Sequence, residues 1–381
     1  MFTFRAFASI VFFSAIAVLL LKAVFRNNTA VLRMDIRFLL ACMLLVLLRM
    51  FIPVESPVTS SIPVYEIYPA VYMWLKRPLF SAAGIEVNIL LLAAAVWVLE
   101  AARRLARLIR SYMETRYLVD KFPDLGDERA SVLVERIGRE CGRKTRFRLA
   151  REDNVSTPFV FGLLRPCIVV PECGLTEREL YFVLKHEMMH YYRGDMLMKL
   201  FCEVLRAVYW WNWFAYKLCD MIEEMQEINV DFSVIRNLPE LEQLEYPECL
   251  VKVARNRVKN RQENRWKVAF KKESPSAVHK RISLMLENME INGKKTLTSI
   301  FLSVIVLGLI VLCPNVLIFE PYAISESDAE GNFGVEEGVF FLRNPDGKFD
   351  FYYNGEYVAT VLEVSGENAK IYDNLEEALG K

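Results

Sequence analysis

Four long apolar stretches restrict what this chain can fold into. Ala6 to Leu21 is 16 residues without a charge, flanked by Arg5 and Lys22. Phe38 to Val54 spans 17 residues broken only by Arg49, and Ala82 to Leu99 spans 18 broken only by Glu86. Leu297 to Phe319 is 23 residues with no charge. A helix that crosses a bilayer needs about 20 apolar residues, within a range of roughly 17–25. The stretches therefore predict four spans, with Arg49 and Glu86 turned to a bundle interior or an interface. The first has features of a signal peptide. Its apolar run is long for one, however, and no A-x-A-like site follows before Arg26, so it reads as a retained anchor.

Positive residues set the expected orientation. Lys22, Arg26, Arg33 and Arg37 stand between the first two stretches against Asp35 alone. Arg103, Arg104, Arg107 and Arg110 follow the third, and Lys294 and Lys295 precede the fourth. The loop from Glu55 to Ser81 is balanced. The first loop and the long segment 101–296 are thus expected to face the cytoplasm, with both termini outside. Residues 320–381 carry 14 acids and 4 bases, a net charge of −10 that cancels +10 over the rest. The formal net charge of zero excludes a globally basic nucleic-acid binder. A basic run from Arg255 to Lys272, with Trp266 within it, reads as a solvated face or a contact with the anionic inner leaflet rather than a nucleic-acid site. All eight cysteines lie before the acidic tail, so the tail is no disulfide scaffold.

The 101–296 segment reads as an α+β module. Ala130 to Cys141 has helical apolar spacing, and Thr145 to Ala150 alternates as a half-buried strand does. Ser156 to Phe161 and Cys167 to Val170 read as further strands, punctuated by Gly162 and Pro166. Thr176 and Glu179 form a capping box that opens a helix running to about Tyr192. Met196 to Leu218 is apolar but broken by Lys199, Glu203 and Arg206, and reads as a membrane-surface or core helix.

The chemistry lies in His186-Glu187-Met188-Met189-His190. Positions i and i+4 of a helix share a face, so two imidazoles can grip one Zn²⁺, with Glu187 placed to take a proton from water. The chain has three histidines, and two of them fill this motif. Tyr181, Phe182, Val183, Leu184, Met188 and Met189 make most of the helix apolar. Burying two histidines and a glutamate there costs several kcal/mol unless they are paired or bound to metal. A third protein ligand would leave an open position. The candidates are His279, Glu223, Glu224 and Glu227. His279 sits beside Lys280 and Arg281, a poor place for a cation, whereas Glu227 has Asp231 at i+4 as a carboxylate to orient a histidine.

The sequence resembles the BlaR/MecR-type membrane zinc metallopeptidases of antibiotic sensing. The resemblance rests on RMFIPVE (Arg49 to Glu55), STPFVFGLLRPCIVVPE (Ser156 to Glu172), LTERELYFVLKHEMMHYYRGD (Leu175 to Asp195), YWWNWFAYKLCDMIEEMQEINVD (Tyr209 to Asp231) and KRISLML (Lys280 to Leu286). It covers about residues 1–319. It implies four spans, a gluzincin-like peptidase between spans three and four, and a substrate that is a cytoplasmic repressor or a membrane-associated protein. It also implies that His186, His190 and Glu227 hold Zn²⁺, that Glu187 is the base and that Asp231 orients a ligand, while the roles of Arg193 and Asp195 stay open.

The expected layout is a three-helix membrane region (1–100), a cytoplasmic peptidase (101–296), a fourth span (297–319) and a small acidic external domain (320–381). Those sensors end in a penicillin-binding domain, but no S-x-x-K, S-D-N or K-T-G occurs in this tail. It shows instead three strands, Gly338 to Arg343, Lys348 to Tyr353 and Glu356 to Val361, and a short helix from Asp373 to Leu379. The external ligand is thus open. Two other readings stand beside the sensor-protease: a receptor that acts by protein binding, and a housekeeping membrane protease.

Overall fold

The computed structural model describes residues 4–51, 60–64, 71, 74–82, 85–153, 155, 157–171, 174–236, 238–239, 242–259, 275–290, 304, 307–308, 317–321, 339–344, 347–353, 356–361, 364, 370–373 and 378. They fall into two compact units, residues 1–62 with 75–319, and residues 63–74 with 320–381. The chain is a helix-dominated α+β protein.

In the larger unit α1 (Phe4–Phe25) covers the first apolar stretch and α3 (Ile36–Phe51) most of the second. Between them the expected basic loop contains a short helix, α2 (Asn28–Met34), whose first turn is capped by Asn27 accepting from Ala30 N–H at 3.2 Å. The chain bends by 103° from α1 to α2. The third stretch, expected as a span from Ala82, begins instead in an antiparallel pair, β2 (Pro78–Ala82) and β3 (Ile85–Asn88). Only from Ile89 does it enter α4 (Ile89–Lys121), which runs on through Arg103 to Arg110. Among the described residues no single helix is long and apolar enough to cross a membrane, and only the bent α1–α2 pair passes that test. The fourth stretch lies mostly outside the described residues. Its last three residues belong to β7 (Leu317–Pro321), a strand rather than a helix, and a further strand, β1 (Ser60–Val64), lies between the second and third stretches.

One face of α1 and α3 is packed and the other bare. Val18, Leu21, Leu39, Met43 and Leu47 are buried together, whereas Phe12, Ile16, Leu19, Leu45 and Leu48 stay exposed. The first half of α4 also exposes Leu91, Leu92, Val96, Val98 and Leu99. The packed faces of α1 and α3 meet α8 (Trp213–Ile235), so its Leu218, Ile222 and Met225 share their core.

The remaining elements surround α6 (Glu177–Arg193). On one side lie α5 (Glu128–Glu140) and a three-stranded sheet of β4 (Arg148–Arg151), β5 (Phe159–Phe161) and β6 (Cys167–Val170). The sheet order is β4-β6-β5, with β4 parallel and β5 antiparallel to β6. Leu184 and Met188 of α6 bury themselves against Ile137, Val160 and Ile168. On the other side Phe182 and Val183 meet Val230 and Val234 of α8 and Tyr246 of α9 (Glu245–Lys259). α10 (Pro275–Glu290) closes the unit against α8. Helix α6 is thus covered on two faces, which is why both of its histidines are buried.

Two local devices fix α6. At its start the Thr176 side chain accepts from Glu179 N–H at 3.3 Å, and Glu179 Oε2 accepts from Thr176 N–H at 2.8 Å. Lys252 Nζ of α9 donates to the same carboxylate at 2.7 Å. Burial pushes the Glu179 carboxyl up, but Lys252 and Thr176 outweigh it and hold the pKa below its ordinary value. A depressed folded pKa gives stability that is present above the unfolded pKa and lost as pH falls through the folded one. Glu179→Gln should therefore cost about 1 kcal/mol of stability near neutral pH, read as a lower thermal midpoint, and the two proteins should converge in acid. A constant gap from pH 7 to pH 3 would show that the carboxylate plays no such part.

At its end Gly194 takes φ +74°, a left-handed conformation that favours glycine. It closes α6 and opens α7 (Asp195–Val208) without a spacer. The expected single helix from Met196 to Leu218 is in fact two. α7 stops at Val208, the chain turns through Tyr209 to Trp211, and Asn212 caps α8 by accepting from Phe214 N–H at 2.9 Å. Trp211 and Trp213 at this turn are exposed.

The smaller unit carries the three expected tail strands, β8 (Val339–Arg343), β9 (Phe349–Tyr353) and β10 (Glu356–Val361), in antiparallel succession. A fourth, β11 (Ile371–Tyr372), was not expected and runs parallel to β8. The helix expected over Asp373 to Leu379 lies almost wholly outside the described residues.

Candidate metal centre

The two histidines of α6 and Glu227 of α8 converge. His186 Nε2 and His190 Nε2 stand 3.1 Å apart, and Glu227 Oε2 and Oε1 lie 3.4 and 3.5 Å from them. One donor atom from each lies within 4.8 Å of the others, and the group could hold a metal ion.

Hydrogen bonding decides which ring nitrogens face inward. His190 Nδ1 is 2.8 Å from Asp195 Oδ2, a carboxylate that can only accept. Gln226 Nε2 donates to the other oxygen of Asp195 at 2.9 Å. His186 Nδ1 is 2.8 Å from the Tyr246 hydroxyl, which itself donates to Asp231 Oδ1 at 2.7 Å. The Tyr246 oxygen must then accept from His186. Both Nδ1 atoms therefore carry their hydrogens outward. Both Nε2 atoms are left facing each other and a carboxylate, a gap that a proton or a metal cation would bridge.

The charges agree with that fit. Burial opposes charge on His186, but Asp231 and Glu227 outweigh it and lift its pKa to about 10. Burial likewise opposes charge on His190, and Glu227 and Asp195 raise it. Burial would raise the Glu227 carboxyl, yet His190, His186 and Arg281 hold it well below the usual range. Asp231 is fully buried and receives Arg281 Nε and Nη2 at 2.7 Å each. The pocket is thus built to keep a positive charge beside carboxylates.

Glu187 points elsewhere. Its Oε2 accepts from Val160 N–H of β5 at 3.0 Å, and burial raises its pKa. The base candidate is next to His186 in sequence and reaches the strand edge in space.

The other third-ligand candidates are engaged away from the centre. Glu223 pairs with Arg206 at 2.7 Å, Glu224 with Lys280 at 3.3 Å, and His279 is exposed with Ser283 Oγ 3.4 Å from its Nδ1. Arg193 donates to Asn229 O and Ser233 Oγ, each at 2.6 Å, and so ties α6 to α8. Sequence reasoning missed Tyr246, Gln226 and Arg281 and left Asp195 without a role. The glycine before Asp195 was the available signal, since it lets a new helix begin against the last turn of α6.

A family model described as BlaR1 peptidase M56 matches residues 9–285, from α1 to α10. The chain belongs to this peptidase family. It is 28% identical over 160 residues to the regulatory protein BlaR1 of Bacillus licheniformis, a match that covers 42% of this chain and 27% of that protein. It is 24% identical over 173 residues to the methicillin resistance mecR1 proteins of Staphylococcus aureus and Staphylococcus epidermidis, covering 43% of this chain and 28% of each. The chain thus matches 27% and 28% of the length of these curated relatives. The M56 match takes in every residue of the centre, including Tyr246 and Arg281, and stops before the tail sheet.

Proposed function

We propose that this M56 member is an integral membrane zinc endopeptidase. It faces the cytoplasm and passes on an external signal by cutting a cytoplasmic repressor or another membrane-associated protein. The observation that carries the reading is the convergence of His186, His190 and Glu227, with both Nδ1 atoms already bonded outward. In this reading those three side chains hold Zn²⁺, Glu187 is the base, and Asp231 orients His186 through Tyr246. When bound, zinc supplies a Lewis acid that polarises a peptide carbonyl and acidifies water.

The residues supply the rest. Glu187 takes a proton from the attacking water and returns it to the leaving amine, and burial raises its pKa, which makes it the stronger proton acceptor. β5 lies at the end of the sheet order, and the Val160 N–H held by Glu187 is a free-edge donor for an extended peptide that adds as a further strand. Arrival of that peptide would release Glu187 for catalysis.

Support for the membrane setting is the bare apolar faces of α1, α3 and the first half of α4, the kind of exposed surface that marks a membrane or partner contact. Four spans, with 101–296 inside and 320–381 outside, remain the topology that the positive residues favour. The names of the relatives, a regulatory protein and methicillin resistance proteins, favour a signalling role. In this reading the tail sheet meets an external ligand of unknown class, and no direct nucleic-acid binding is expected.

Purified full-length protein in detergent should cleave an unfolded protein such as casein. A zinc chelator should stop the reaction and added Zn²⁺ restore it. Cleavage that survives chelation, or zinc-loaded protein that cuts nothing, would refute the reading.

A further inference from the structure

The chemistry proposed above gives no step to Arg281, a buried cation on α10 that reaches two acidic side chains of α8 at once. Its Nε and Nη2 donate to the two oxygens of Asp231 at 2.7 Å, and its Nη1 lies 3.3 Å from Glu227 Oε2. Both contacts bear on the converging donors. Arg281 supplies the counter-charge of Asp231, and Asp231 takes the hydrogen of Tyr246. That leaves the Tyr246 oxygen for His186 Nδ1 and directs His186 Nε2 inward. The second contact orients the Glu227 carboxylate itself. His190 is set independently, by Asp195 and Gln226.

The same helix is also seated against α1 and α2. Lys280 Nζ lies 3.1 Å from the Phe25 ring centroid and 3.3 Å from Glu224 Oε1. Asn28 Nδ2 donates to Glu287 Oε1 at 2.8 Å. Phe25 ends α1 and Asn28 opens α2, so α10 rests on the bend between the first two helices.

We propose that Arg281 is a positioning residue for His186 and Glu227, and that its reach is fixed by the seat of α10 on the α1–α2 bend, so that this bend sets the metal affinity of the centre. The inference rests on the zinc reading above. Without the guanidinium a fully buried carboxylate loses its counter-charge, and the Tyr246 hydroxyl is left bonded to a carboxylate that must shift or take up a proton. Groups that orient metal ligands typically contribute 10–100-fold in affinity. A shift of α10 along α8 would withdraw both contacts together, because one side chain makes them.

The test is the zinc dissociation constant of full-length protein in detergent, by competition with a chromophoric chelator. Arg281→Gln should raise it about 10–100-fold. Arg281→Lys keeps the charge but cannot bridge two carboxylates, and should recover only part of the loss. Asn28→Ala combined with Lys280→Ala touches neither Asp231 nor Glu227, and should raise the constant about 2–30-fold, the range for coupling through packed side chains. An unchanged constant in Arg281→Gln, even with a lower melting temperature, would mark a merely structural role and overturn the proposal. Should that variant fail to fold, an unchanged constant in Arg281→Lys overturns it. An unchanged constant in the double variant overturns the part played by the bend. Wild-type protein that binds no zinc, or binds it as well after His186→Ala, would instead refute the metal reading, and this inference with it.

Discussion

Glu187→Gln should leave zinc bound at the wild-type stoichiometry and lower peptide hydrolysis by about 10²–10⁴-fold, the usual contribution of a general base. The substitution is nearly isosteric. A glutamine oxygen can still accept from Val160 N–H, so the contact to β5 survives. The amide cannot take a proton from water. None of the three converging side chains is altered, so metal content should not follow activity. Zinc analysis and a cleavage assay on the same preparation separate the two quantities. Undiminished cleavage would remove Glu187 from the mechanism. Loss of zinc together with activity would show that Glu187 holds the metal instead.

What could be read from the sequence was what repeats within a few residues. The strand Cys167–Val170 appears with its expected bounds, and the capping box at Thr176 forms as expected, because both are set by local pattern and backbone chemistry. The motif histidines share a face because helical geometry puts i and i+4 together. The outer partners were harder. Tyr246 is 60 residues from His186, and Arg281 is 50 from Asp231, with no periodicity to link them. Arg281 was even misleading, since a cation beside His279 argued only against His279. Apolar content also hid a boundary. Met196 to Leu218 reads as one helix by hydropathy, yet Asn212 satisfies the first-turn N–H groups of α8 and so splits it. The same limit applies to α2, a helix inside what charge alone marks as a loop.

The candidates for a third ligand can be told apart by substitution. Glu227→Ala should abolish zinc binding at micromolar metal and with it all cleavage, whereas His279→Ala should change neither. Glu227 lies 3.4 and 3.5 Å from the two inward nitrogens, and its carboxyl is held ionised by His190, His186 and Arg281. Its removal leaves two imidazoles, one short of the three protein ligands of a catalytic zinc site. It also leaves Arg281 Nη1 without its second carboxylate, so some loss of stability should accompany the loss of metal. Glu227→Gln distinguishes the two effects. The amide oxygen keeps the shape and can still face Arg281, but it offers zinc a neutral donor. Its affinity should therefore fall while its melting temperature stays near that of the wild type. If His279→Ala lowered zinc affinity as Glu227→Ala does, the metal would be shared between α8 and α10, and the centre described here would be incomplete.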